Sequence, residues 1–141
     1  MSKVFYDEPV VWQMFSEINK CWYMDEEKLI NLAKRLPPED VNAYDDWGDT
    51  ILILACRNKY TEVIGILLEN EGINVNLRDF FGSTVLLYAL KQGHIDIVRL
   101  LLNHKDINVN IKDAFGRTPL MIAREKGYTE MVELLENYQK N

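Results

Sequence analysis

The side chains best suited to chemistry in this 141-residue chain are two histidines, two cysteines and several carboxylate pairs. A catalytic or metal site needs such groups converging with a defined partner: a base beside a nucleophile, or three to four ligands at metal-binding spacing. Cys21 and Cys56 stand 35 residues apart with no CxxC and no histidine beside either, so neither a zinc site nor a redox pair is expected. His94 follows Gly93 at a helix boundary, and His104 lies in a polar stretch; neither has a nucleophile or ligand cluster near it in sequence. The pairs Glu26-Glu27 and Asp45-Asp46 fall at a helix start and a turn, where structural roles account for them. The glycines are isolated, so no phosphate-cradling loop is present. Chemistry by the chain's own side chains is therefore not expected, nor is a cofactor or metal.

Charge narrows the partners. Lys plus Arg number 16 and Asp plus Glu 22, a net charge of -6. The acidity is shared between the parts before and after Asn42, with 5 basic and 8 acidic residues in the first and 11 and 14 in the second. With no basic arm, nucleic acid and anionic membrane are poor partners. The N-terminus has no long apolar run or small-residue cleavage site, and the longest apolar runs, 51–56 and 85–90, are far too short to span a bilayer. A cytoplasmic protein with reduced thiols is the expectation.

The elements that position these residues follow from a repeat. Asp45, Asp79 and Asp113 are 34 residues apart, and so are Gly48, Gly82 and Gly116, Thr50, Thr84 and Thr118, and Ala55, Ala89 and Ala123. Leu52, Leu86 and Leu120 and also Leu67, Leu101 and Leu135 keep the same step, while Val41-Asn42, Val75-Asn76 and Val109-Asn110 mark the joints. Asp-x-x-Gly-x-Thr reads as a turn whose glycine adopts a conformation closed to other residues, followed by a threonine N-cap. Pro119 suits the first helical position. Gly93 and Gly127 should end the first helices in left-handed backbone, and Lys59 occupies the same register. A second helix starts near Ile95 with an apolar stripe at Ile97, Val98, Leu100 and Leu101. One such pair cannot bury its own apolar face; stacked pairs can, which places Leu86 and Leu120 in the core.

This pattern resembles the ankyrin repeat. The stretches 113–135 and 79–102 match its turn, helical alanine and leucine run, 45–68 is a weaker copy, and the resemblance covers 41–137. It implies an all-α solenoid of four stacked helix–turn–helix units with protruding β-turn loops, divided at 1–40, 41–73, 74–107 and 108–141. It also implies a protein-binding role. The family's usual histidine after Thr-Pro-Leu is replaced by Ile53, Leu87 and Met121, and the period exceeds the usual value of about 33.

Subtracting one period places 25–36 as the second helix of a leading unit, with Asp25 as N-cap and Pro37-Pro38 as its stop. Its first helix is expected to begin after Asp7, with Glu8-Pro9 in its first turn, and to run to about Tyr23, roughly two turns longer than the family's at 3.6 residues each. It carries Trp12, Phe15 and Trp22, and Cys21 aligns with the core alanines. At the other end, Glu136 replaces the apolar Leu68 and Leu102, as suits a terminal repeat. The ends read as those of a complete four-unit monomer.

The resemblance assigns recognition to the turn tips and the exposed side of the first helices. The matching candidates are Trp47 and Asp49; Phe80, Phe81 and Ser83; and Phe115 and Arg117 on the turns, with Arg57, Lys91, Gln92 and Lys126 at the helix ends. Trp47, Phe81 and Phe115 recur at the repeat step, which fits either ring packing between turns or a strip of binding anchors. Phe80 has no aromatic mate, so binding is the better account of it. The expected function is a non-catalytic module holding a folded protein, as adaptor, inhibitor, toxin neutraliser or host-docking factor. An accessory subunit of an intracellular enzyme, or a catalyst with an unrecognised site, is the alternative, and no motif supports it.

Overall fold

The computed structural model describes residues 8–20 and 25–140. Within them the chain forms eight helices in four antiparallel pairs: α1 (Val10–Ile18) with α2 (Glu26–Arg35), α3 (Ile51–Arg57) with α4 (Thr61–Glu69), α5 (Val85–Gln92) with α6 (Ile95–Leu102), and α7 (Pro119–Lys126) with α8 (Thr129–Lys140). The first helices α1, α3, α5 and α7 pack on one another in order, and α2, α4, α6 and α8 form a second layer behind them. This is the all-helical solenoid expected from the repeat. A single antiparallel bridge, Tyr44 to Thr50, is the β-type pairing among the described residues.

Local chemistry sets the helix limits. The Thr50, Thr84 and Thr118 hydroxyls accept from the amides of Ile53, Leu87 and Met121 at 3.2, 3.3 and 3.2 Å. Asp25 does the same for Lys28 at 3.1 Å. Gly93 and Gly127 close α5 and α7 at φ 75° and 70°. Lys59, in that register after α3, is left-handed too, at φ 62°.

Between the layers, Ala55, Ala89 and Ala123 are fully buried and let the helices approach, while Leu67, Leu101 and Leu135 fill the core behind them. Leu86 is buried as expected. Leu120 is not: it is half-buried, because among the described residues no further pair packs on the outer side of α7. On the loop edge, asparagines tie adjacent units. Asn42 Nδ2 donates to the Gly72 carbonyl (2.7 Å), and its Oδ1 accepts from the Asn74 amide (2.8 Å). One period on, Asn76 repeats both bonds with Asp106 (2.8 Å) and Asn108 (2.9 Å).

The leading helix departs from expectation. α1 has 9 residues against 7 or 8 in the other first helices, an excess well under two turns, and Pro9 is its N-cap rather than part of its first turn. It ends at Ile18 with Asn19, a weak helix former, as C-cap, its amide donating to the Phe15 and Glu17 carbonyls. The chain must then reverse into α2. The buried Glu17 anchors that reversal, accepting from Lys20 Nζ (2.7 Å) and the Asp25 amide (3.4 Å) and pairing with Lys28 Nζ (3.2 Å). The Lys20 bond, with help from Lys28, holds its carboxyl below the ordinary value despite burial. Asp7, Cys21, Trp22 and Tyr23 lie outside the described residues.

Candidate functional site

Each turn is built the same way around its aspartate. Oδ1 of Asp45, Asp79 and Asp113 accepts from the amides two and four residues on, at 2.9–3.0 Å. The aspartate amide donates to the carbonyl of the fourth residue, and Gly48, Gly82 and Gly116 stand at φ 78°, 79° and 78°. A turn so fully bonded holds its tip residue in one place. That residue is Trp47, Phe81 or Phe115, and it is 64%, 64% and 84% exposed.

None of the three stacks on another ring among the described residues; Phe115 has the Arg117 guanidinium 5.6 Å from its centroid. All three rings are largely exposed on their turns. Phe80 behaves differently. Its amide donates to the Trp47 carbonyl (3.2 Å), its ring meets Tyr44 edge-on at 5.9 Å, and it covers Gly48, yet it remains 68% exposed.

Asp49 and Ser83 do not lie at the tips. Both are buried, because the residue four after the turn aspartate pairs back to it through its amide and carbonyl and so lies against the helix floor. Asp49 Oδ2 accepts from Arg57 Nη1 at 2.7 Å, while Oδ1 is buried without a hydrogen-bond partner among the described residues. Burial pushes its carboxyl above the ordinary value, offset only in part by Arg57.

The cations of the helical floor are largely committed within the molecule. Arg57 lies over the Tyr88 ring at 5.4 Å, and the Tyr88 hydroxyl donates to Asp79 Oδ2. Lys91 Nζ is 3.5 Å from Asp113 Oδ2, which also accepts from Arg117 Nε at 2.9 Å. Arg117 reaches on to Glu125 at 2.7 Å. Burial pulls the Asp113 carboxyl upward, but the bonds from Arg117 and the Phe115 amide outweigh it and hold the group below its ordinary value. The charges of Arg57, Lys91 and Arg117 are thus paired within the molecule. Gln92 and Lys126 are exposed, and Lys126 has no ion pair among the described residues.

Residues with reactive potential are placed for structure. Cys56 is fully buried, its Sγ 3.7 Å from the Val85 carbonyl, and burial pushes the thiol up to about 12. His94 is half-buried, and burial with nearby Lys59 lowers its pKa; His104 Nδ1 accepts from the Asp106 amide at 3.1 Å. No group of three or more His, Cys, Asp or Glu that could hold a metal occurs among the described residues. No described helix is long and apolar enough to cross a membrane.

A family model for ankyrin repeats in three copies matches residues 23–113 and 71–141. The chain belongs to the ankyrin repeat family. No curated protein matches it. Members of this family are in general non-catalytic protein–protein interaction modules. The run of exposed large apolar side chains extends past the expected residues. Trp12 and Tyr44 are also exposed large apolar side chains next to Phe80. Tyr44 could have been found: its repeat mates are Arg78 and Lys112, the same lack of symmetry that singled out Phe80. Met121 is 52% exposed, a result of its place on the outermost first helix.

Proposed function

We propose that this protein is a non-catalytic binding module that holds one folded protein against its turn tips and the exposed side of its first helices. It would act as an adaptor, inhibitor or docking factor. The carrying observation is the row formed by Trp47, Phe81 and Phe115, large rings held on rigid turns and left to solvent. Exposed aromatics in a regular row are the residue type from which interface hot spots are made, and rigid turns remove much of the ordering cost of binding. Gln92 and Lys126 would supply polar contacts at the rim. Lys91, Arg57 and Arg117 act chiefly by fixing the turns, since their charges are already paired.

The same reading takes the chain as one domain, with units at 1–40, 41–73, 74–107 and 108–141, working as a cytoplasmic monomer without metal or cofactor. The buried thiol of Cys56 and the acidic balance support it. Photo-crosslinking amino acids placed at Phe81 and Phe115, and separately at Glu69 and Lys105, test the face in a lysate of the source cells. Crosslinks to one protein from the turn positions are expected. Crosslinks from positions 69 and 105 alone would overturn the assignment.

A further inference from the structure

The leading end of the turn row holds a cleft of about 390 Å³ lined by Trp12, Phe15, Tyr44, Asp45, Asp46 and Phe80. Its physical character is mixed in a particular way. Trp12, Tyr44 and Phe80 are exposed rings, and Phe15 is a buried ring 5.4 Å from Trp12. The remaining two lining residues are carboxylates, and among the described residues no lysine or arginine lines the cleft. Asp45 uses Oδ1 on the amides of Trp47 and Asp49, and Asp46 makes no ion pair or side-chain hydrogen bond among the described residues.

Phe80 forms one wall: it sits so closely on Gly48 that a Cβ there would come within 2.6 Å of the ring, and Tyr44 meets it edge-on.

An apolar occupant would bury the rings but strip water from the Asp46 carboxylate and from Asp45 Oδ2. An anionic occupant would be repelled. A cationic side chain satisfies both halves: its alkyl stem lies on the rings, its charge faces ring π-systems and carboxylates, and a guanidinium adds a planar fork matched to a carboxylate. We infer that this cleft binds an arginine side chain presented by the protein partner. The inference deepens the binding role proposed above and rests on it, since the cleft continues the same turn row. It assigns to the partner an exposed arginine that docks at the leading end of the solenoid, between α1 and the first full turn.

The test needs no known partner. Blocked Gly-Gly-Arg-Gly-Gly peptide is titrated into the full chain and followed by NMR at the Trp12 indole and the Tyr44 and Phe80 rings. The same peptide with citrulline, a neutral isostere, is the control. The arginine peptide should give saturable shifts at those three rings, weakened by added salt, and bind at least about threefold more tightly than the citrulline peptide. Asp46→Asn should narrow that gap, and Phe80→Leu, which keeps apolar bulk but removes the π-face, should weaken the arginine peptide with no loss of fold by circular dichroism. Equal binding of the two peptides, or no saturable shift at millimolar peptide, overturns the inference. Once a partner is in hand the two readings separate. A complex that survives Asp46→Asn and Phe80→Leu but is lost on Phe115→Ala sinks the arginine cleft and leaves the binding face. Loss on the cleft variants, rescued by no turn-tip change, supports the cleft.

Discussion

The third and fourth helix pairs share one sequence register and differ in their surroundings. Leu86 and Leu87 on α5 are buried between α3 and α7. Their counterparts on α7, Leu120 and Met121, are half-buried and 52% exposed, because no described element packs beyond α7. The outer pair has adapted through charge: Glu136 on α8, where the interior units carry leucine, accepts from Arg124 Nη2 at 2.8 Å. Burial in this fold is a property of neighbours as much as of residue type, so identical positions carry different energies along the stack.

Truncation tests that most strongly. Leu86→Ala should cost about 2–5 kcal/mol, the usual range for a fully buried leucine. Leu120→Ala should cost nearer about 1 kcal/mol, since only part of its area leaves water on folding. Urea melts of the two variants compare them directly, and equal losses would remove the distinction between inner and outer pairs.

A second comparison sits at the ends of the first helices. Lys59 and Gly127 hold the same left-handed backbone, at φ 62° and 70°. Lys59→Gly should therefore stabilise by about 1 kcal/mol, and Gly127→Ala should destabilise by about as much. A Cβ at Gly127 meets nothing within 4 Å, so the reverse change isolates backbone strain. A neutral result for both would show that the two joints yield without cost.

Charge gives a smaller contrast. The Asp113 carboxyl in the outer unit is held below its ordinary value, so the stability it contributes is present above that value and is lost as pH falls through the lowered one. Asp49 in an inner unit is held above its ordinary value, so the fold favours its protonated form, and stability falls as pH rises from the ordinary value through the raised one. Urea midpoints measured across the acid range should flatten at the low end for Asp113→Asn. For Asp49→Asn they should lose the decline toward neutral pH. Matching profiles for the two variants would contradict the assigned environments.

The smallest effect is expected where exposure is greatest. Phe115→Ala should leave the urea midpoint within about 0.5 kcal/mol of the parent, as for other surface changes. A larger loss would mean that the ring supports the turn rather than standing free of it.

What the sequence made legible follows from how local each cause is. Threonine caps, left-handed glycines and the left-handed Lys59 are decided within a few residues, and all could be read from the 34-residue register. The burial of Cys56 followed from its place beside Ala55. The length of α1 could not be read, because Asn19 and the Glu17 anchor respond to the chain reversal into α2. Asp49 and Ser83 were misplaced at the tips for a related reason: in a tight turn the fourth residue folds back, and adjacency in sequence to an exposed ring says nothing of its own exposure. The pairing of Lys91 with Asp113 crosses from one unit to the next and is set by stacking.

The asparagine bonds along the loop edge carry a consequence for how such a protein can grow. Asn42 and Asn76 each reach a carbonyl and an amide 30 and 32 residues further on, so each bridge fixes a set length of chain within the 34-residue step. A copy of a whole unit inserted between the third and fourth pairs would inherit both halves of the bridge and meet the same partners. A copy one residue shorter in the loop would present the asparagine to the wrong groups. Copy number is therefore free to change while period is not, and the chain can be lengthened only in whole steps.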